Sequence, residues 1–149
     1  MRLFNYAVGE SDCVDEFKYF HSLPGESTRH VDEQFERSKV LGMDSSGAVD
    51  TVFCDVRTLK TIMERDLGFA DVLRTHGRID LLKIDAEGDE LNILTGMGSD
   101  LLAHVRQIVV EVYDINERLL SVAEFLRKNL YDIDIIPQVC KSAIFTIIV

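Results

Sequence analysis

Cysteine is scarce. Cys13, Cys54 and Cys140 are far apart and odd in number, which excludes both a disulfide framework and a zinc-knuckle spacing. Each reads as a small buried apolar side chain. The four histidines, His21, His30, His76 and His104, lack the paired helical spacing of a zinc protease, and no metal site is expected. No stretch of 18 apolar residues occurs and no secretory leader opens the chain, so the expectation is a soluble cytoplasmic protein with no membrane partner. Basic residues are outnumbered, 16 Lys and Arg against 26 Asp and Glu. The resulting net charge of -10 argues against binding nucleic acid through its phosphates. Repeats and low-complexity segments are absent. What remains, at 149 residues, 46% hydrophobic and 28% charged, suits one globular domain over residues 1–149.

The organising stretch is Ile79 to Gly96, IDLLKIDAEGDELNILTG. Ile79 to Ile84 is an apolar run too unbroken for a half-exposed strand, and it predicts a strand covered on both faces. Four carboxylates follow within six residues, Asp85, Glu87, Asp89 and Glu90. Beyond Gly88 the interval between Leu91 and Leu94 is helical, and Gly96 is placed to end that helix. Acidic groups thus collect where a buried strand gives way to a helix, the edge at which open α/β sheets bind ligands. Asp89 and Glu90 are accounted for by the positive end of the helix dipole. Asp85 and Glu87 sit on the turn itself, beside Lys83, where a site is as good an explanation as a cap.

This stretch resembles the signature of the FkbM-type methyltransferases. Ile79, Asp80, Lys83, Asp85, Glu87, Gly88, Glu90, Leu94 and Gly96 occupy its fixed positions, and Ile108 to Val112 resembles the family's next strand, with its Glu at 111. Asn5 to Gly9 and Glu26 to Thr28 match weaker features. The resemblance implies a Rossmann-like class I methyltransferase sheet and S-adenosylmethionine-dependent methylation of a hydroxyl oxygen on a small molecule. It also implies an incomplete sheet, lacking the first two strands. The glycine-rich strand-to-helix turn that approaches the cofactor, and the acid that holds its ribose, have no counterpart from Arg2 onward. The cofactor-binding residues are therefore unknown, and three explanations stand open. The chain is a fragment of a complete enzyme, a remnant acting as a non-catalytic binding or assembly module, or one of two polypeptides that share the fold. The first is favoured, because the residues at the strand ends remain.

Along the chain, Arg2 to Val8 and Val14 to Phe20 read as strands, paired as a hairpin. Residues 21–47 form an irregular insertion or lid with a short helix between Arg29 and Lys39. Within it Ser27, Thr28, Arg29 and His30 offer hydroxyl, guanidinium and imidazole groups to a substrate. Val49 to Val56 predicts a strand, and Thr58 stands where a helix N-cap belongs. Gly68 and Gly77 bound a further helical piece. Gly96-Met97-Gly98 follows a helix, so it reads as a helix stop and not a phosphate loop. Ile115 to Asn129 is the clearest amphipathic helix. Tyr131 to Ile136 and Ala143 to Val149 are the last strands, with Pro137 to Ser142 closing a hairpin.

Methyl transfer to oxygen needs an aligned hydroxyl, a base for its proton and exclusion of water. Asp85 is the first candidate for that base. Lys83 can pair with Asp85 or Glu87 and keep them ionised, and Glu111 adds a carboxylate from the neighbouring strand. Removing two central strands would leave apolar sheet edges open, which invites pairing with a second copy of the chain.

Overall fold

The computed structural model describes residues 2–42, 47–138 and 144–149. Cys140 and most of the expected connection from Pro137 to Ser142 lie outside the described residues. The fold is mixed α/β, with two sheets in place of the single sheet expected. The smaller sheet has the order β1-β3-β2, from β1 (Ala7–Val8), β2 (Cys13–Phe20) and β3 (Val49–Arg57). The larger, in the order β4-β5-β7-β6, joins β4 (Leu82–Ile84), β5 (Ile108–Tyr113), β6 (Asp134–Pro137) and β7 (Ile144–Ile148). Between them in sequence come α1 (Val31–Leu41), α2 (Leu59–Arg65), α3 (Phe69–His76), α4 (Glu90–Leu102) and α5 (Arg118–Lys128).

The expected hairpin of the first two strands does not form. β2 pairs antiparallel with β3, from Cys13 opposite Val56 to Phe20 opposite Val49, while β1 lies parallel to β3 on its other side. The turn after Gly9 explains the difference. Asp12 accepts the Thr58 amide at 2.8 Å and the Thr61 hydroxyl at 3.0 Å, so the chain is carried across the end of β3 and does not fold back on β1. Thr58 caps α2 as its sequence predicts, its hydroxyl oxygen accepting the Thr61 amide at 3.0 Å. Gly68 and Gly77, both left-handed, bracket α3. Cys13, expected in the interior, is exposed, and Cys54 is half-buried, because β2 and β3 are covered by little of the rest of the chain.

β4 and β5 run parallel, from Leu82 opposite Ile108 to Ile84 opposite Val110, and β7 pairs antiparallel with both β5 and β6. The Ile79–Ile84 run is not covered on both faces as expected. Only Leu82–Ile84 is strand, with Leu81 57% exposed. Among the described strands β4 pairs with β5 alone, so its other side is a sheet edge. β5 alternates strictly, with Ile108, Val110 and Val112 fully buried. They pack with Leu94, Met97, Leu101 and Leu102 of α4 and with Val122 and Leu126 of α5 to form the core.

Gly96 does not end α4, as its position predicted. The break comes two residues on, at Gly98 (φ 74°), where a second helical segment begins and runs to Leu102, so the stop expected over Gly96-Met97-Gly98 falls at its last residue. Gly96 is instead a point of close approach. A Cβ there would lie 2.4 Å from the Gly9 carbonyl oxygen and 3.0 Å from the Glu10 Cα, both backbone atoms that cannot swing aside. Gly96→Ala is expected to destabilise the protein by about 2 kcal/mol, the overpacking cost outweighing the roughly 1 kcal/mol by which alanine favours a helix. Gly25→Ala, with nothing within 4 Å of the new methyl, is the control expected to change little. Urea denaturation of both checks this.

Candidate active site

Because β4 and β5 are parallel, their carboxyl ends share one edge. β4 delivers Asp85 and the turn Ala86–Gly88, and β5 delivers Glu111 and Tyr113. Three of the four described non-glycine residues with positive φ fall at this edge, Glu87 (49°), Asn116 (55°) and Glu117 (60°). Backbone strain of that kind gathers where a chain must present side chains in a set direction.

Lys83 donates to Asp85 Oδ2 at 2.7 Å, so of the two partners open to it in sequence it takes Asp85. That bond and the attraction of the carboxylate raise the Lys83 pKa above its ordinary value. Both side chains remain solvent-accessible, at 58% and 40% exposure. Asp85 stands at the mouth of a largely apolar cavity of about 330 Å³ whose walls include Ala7, Val8, Phe17, Leu59, Leu82 and Ile93. That volume lies within the usual range for a small-molecule site. Asp85, Glu87, Glu111 and Tyr113 also surround a void of about 10 Å³ between the strand ends, enough for one water molecule. Glu87 further lines a notch with His30, Glu33 and Arg118. All three carboxylates expected at the site therefore border clefts at this edge. Among the described residues, no group of three or more His, Cys, Asp or Glu is arranged to hold a metal ion.

Ser27 to His30 reach the same edge, but their polar groups are engaged within the protein. The Ser27 hydroxyl oxygen accepts the Phe20 amide at 3.3 Å, and the Thr28 hydroxyl donates to the Glu87 carbonyl at 2.9 Å. Arg29 bridges Asp15 of β2, at 2.8 Å, and Asp89, at 2.6 Å, and His30 Nε2 lies 3.1 Å from the same Asp89 oxygen. The His30 ring covers Gly88 so closely that a Cβ there would sit 2.8 Å from its Cδ2. Arg118 pairs with Glu33, fastening α1 to α5.

Sequence reasoning assigned Asp89 and Glu90 to the helix dipole and missed their burial. Asp89 is 5% exposed at its side chain and makes no capping bond; its carboxylate takes hydrogen bonds from Arg29, His30 and Asn92. Burial alone would push its pKa up, but those three bonds and the Arg29 charge outweigh it and hold the group at about 2. Glu90 is 2% exposed, with Oε1 accepting the Ala86 and Gly88 amides at 3.3 and 2.9 Å and Oε2 buried without a partner among the described residues. A signal for Glu90 existed. Spaced with Ile93, Leu94, Met97 and Leu101, it falls on the apolar stripe of α4. Asp15, Glu33 and Arg118 carried no comparable signal.

Three curated relatives share sequence with this chain. The chain is 28% identical over 123 residues to Methyltransferase sdnD of Sordaria araneosa, covering 77% of this chain and 48% of the relative. It is 22% identical over 107 residues to Methyltransferase 1 of Beauveria bassiana, covering 72% of this chain and 42% of that protein. A 63-residue stretch, 39% of this chain, is 40% identical to part of the AMB antimetabolite synthetase AmbE of Pseudomonas aeruginosa, of which it spans 3%. The chain thus spans less than half the length of each relative. No solved structure matches significantly. The Methyltransferase FkbM domain matches residues 2–133, nearly the whole chain, and the protein belongs to that family.

Proposed function

We propose that this polypeptide supplies the methyl-acceptor side of an S-adenosylmethionine-dependent O-methyltransferase acting on a small-molecule hydroxyl. The observation that carries the reading is the cavity with Asp85 at its mouth. The edge of β4 and Ala7 and Val8 of β1 both line it, so two sheet edges border one apolar space. S-adenosylmethionine, when bound, would supply an electrophilic methyl group on a sulfonium, whose methyl–sulfur bond breaks as the sulfur leaves as a neutral thioether. The chain's own residues do the rest. Asp85 orients the acceptor hydroxyl and takes its proton as the new C–O bond forms, Lys83 holds that carboxylate in place through their hydrogen bond, and Glu87 and Glu111 hold the substrate's polar groups. The apolar cavity wall limits water.

The described residues contain no glycine-rich strand-to-helix turn, so they fit the acceptor side better than the adenosine side. The proposal therefore includes a fragment relationship. Two further strands bearing that turn, from polypeptide preceding Arg2, supply the adenosine side. Among the described strands β4 pairs with β5 alone, and its free edge is an open template at which a second copy of the chain can pair.

Titration calorimetry with S-adenosylmethionine tests the reading. The 149-residue chain alone is expected to show no saturable heat, and the polypeptide extended upstream is expected to bind at one site. If the extended protein also fails to bind, the acid-rich edge belongs to a non-catalytic binding module.

A further inference from the structure

We infer that Glu90 is a positioning residue for Glu87, acting through the backbone of the turn between β4 and α4. Glu87 is held in a left-handed conformation that a glutamate adopts only under constraint, and the constraints can be named. The amides on either side of it, Ala86 and Gly88, both donate to Glu90 Oε1. Its own carbonyl accepts the Thr28 hydroxyl. Gly88, with φ at 115°, lies under the His30 ring with no room for a side chain. Glu90 is thus a buried acid whose one bonded oxygen closes the turn from inside the helix, while Thr28 closes it from the lid segment.

The consequence is directional. With its backbone pinned on both sides, Glu87 is presented to the void shared with Asp85 and Glu111 and to the notch shared with His30 and Arg118. Both turn amides bond to the single oxygen Oε1, so what the turn requires from position 90 is one acceptor oxygen. Glutamine retains that acceptor; alanine does not.

The test compares Glu90→Gln with Glu90→Ala in the 149-residue chain, read by amide exchange and by the Glu87 backbone chemical shifts that report a positive φ. Glu90→Ala is expected to speed exchange of the Ala86 and Gly88 amides about tenfold or more, the loss of one protective hydrogen bond each. The Glu87 shifts should move toward ordinary negative φ. Glu90→Gln is expected to keep both signatures. Should Glu90→Ala fail to fold, Thr28→Val, which removes the other brace at nearly constant volume, is expected to move the Glu87 shifts the same way. Unchanged amides in the alanine variant, unchanged shifts in the valine variant, or a glutamine variant that behaves like alanine would overturn the assignment.

A second readout rests on the methyltransfer reading. In the upstream-extended enzyme Glu90→Ala should lower kcat by about 100-fold, the cost of a small misplacement. The KM for S-adenosylmethionine should hold, and Glu90→Gln should restore most of the rate. A KM that rises with the loss of kcat would refute positioning. Absence of methyl transfer in the wild type would count against the proposed function and leave the exchange result standing.

Discussion

Asp85→Asn in the upstream-extended enzyme is expected to reduce kcat for methyl transfer by about 100-fold to 10,000-fold, the range for removing a general base. The KM for S-adenosylmethionine should change little. Asparagine keeps the shape and can still orient a hydroxyl, but it cannot take the proton. Stability provides the contrast. The Lys83–Asp85 pair is solvent-accessible on both sides, so breaking it should alter unfolding by less than about 1 kcal/mol. A mutant that lost activity only because it had unfolded would fail that comparison. Steady-state kinetics and urea denaturation on the same preparation separate the two outcomes, and a variant retaining more than about a tenth of wild-type kcat would remove Asp85 from the role of base.

Asp89→Ala is expected to do the opposite, costing about 3 to 5 kcal/mol of unfolding free energy, as removal of one partner from a buried charge pair does. Among the described residues Arg29 would keep only Asp15, which is 40% exposed at its side chain, and His30 would lose its carboxylate. The segment carrying Arg29 and His30, α4 and β2 would come apart at one point. The acid limb of the stability curve provides a second check. A carboxyl held at about 2, below its ordinary 3.8, contributes stability that is fully present above about pH 4 and is lost as pH falls through 2. Between those limits the wild type should lose roughly 2 kcal/mol more than Asp89→Asn, which has no proton to take up. Equal acid sensitivity in the two proteins would show that Asp89 is not held low by its partners.

The parts of the fold that were legible in sequence are those fixed by near neighbours. Thr58 announces α2 because a cap acts three residues away, and Gly68 and Gly77 announce the ends of α3. The partner of β1 was not legible, since it depends on Asp12 reaching Thr58, 46 residues on. Gly96 was misread for the same reason. Its neighbour in space is Gly9, and a glycine demanded by another segment's backbone looks in sequence like a glycine demanded by a helix end. At the site, Lys83 and Asp85 are two residues apart and their pairing could be anticipated. The Arg29–Asp89 contact spans 60 residues, and nothing in either neighbourhood advertises it. The burial of Asp89 therefore became visible only in three dimensions.

The interior place of β7 between β5 and β6 has a consequence for biosynthesis. β5 can pair with β4 as soon as Tyr113 has left the ribosome, but its second flank stays open until Ile144–Ile148 emerges. The Ile108 carbonyl waits longer still, for the amide of Val149. Throughout that interval the nascent chain presents the most apolar strand of its core to solvent, and to chaperones, with half its ladder unmade.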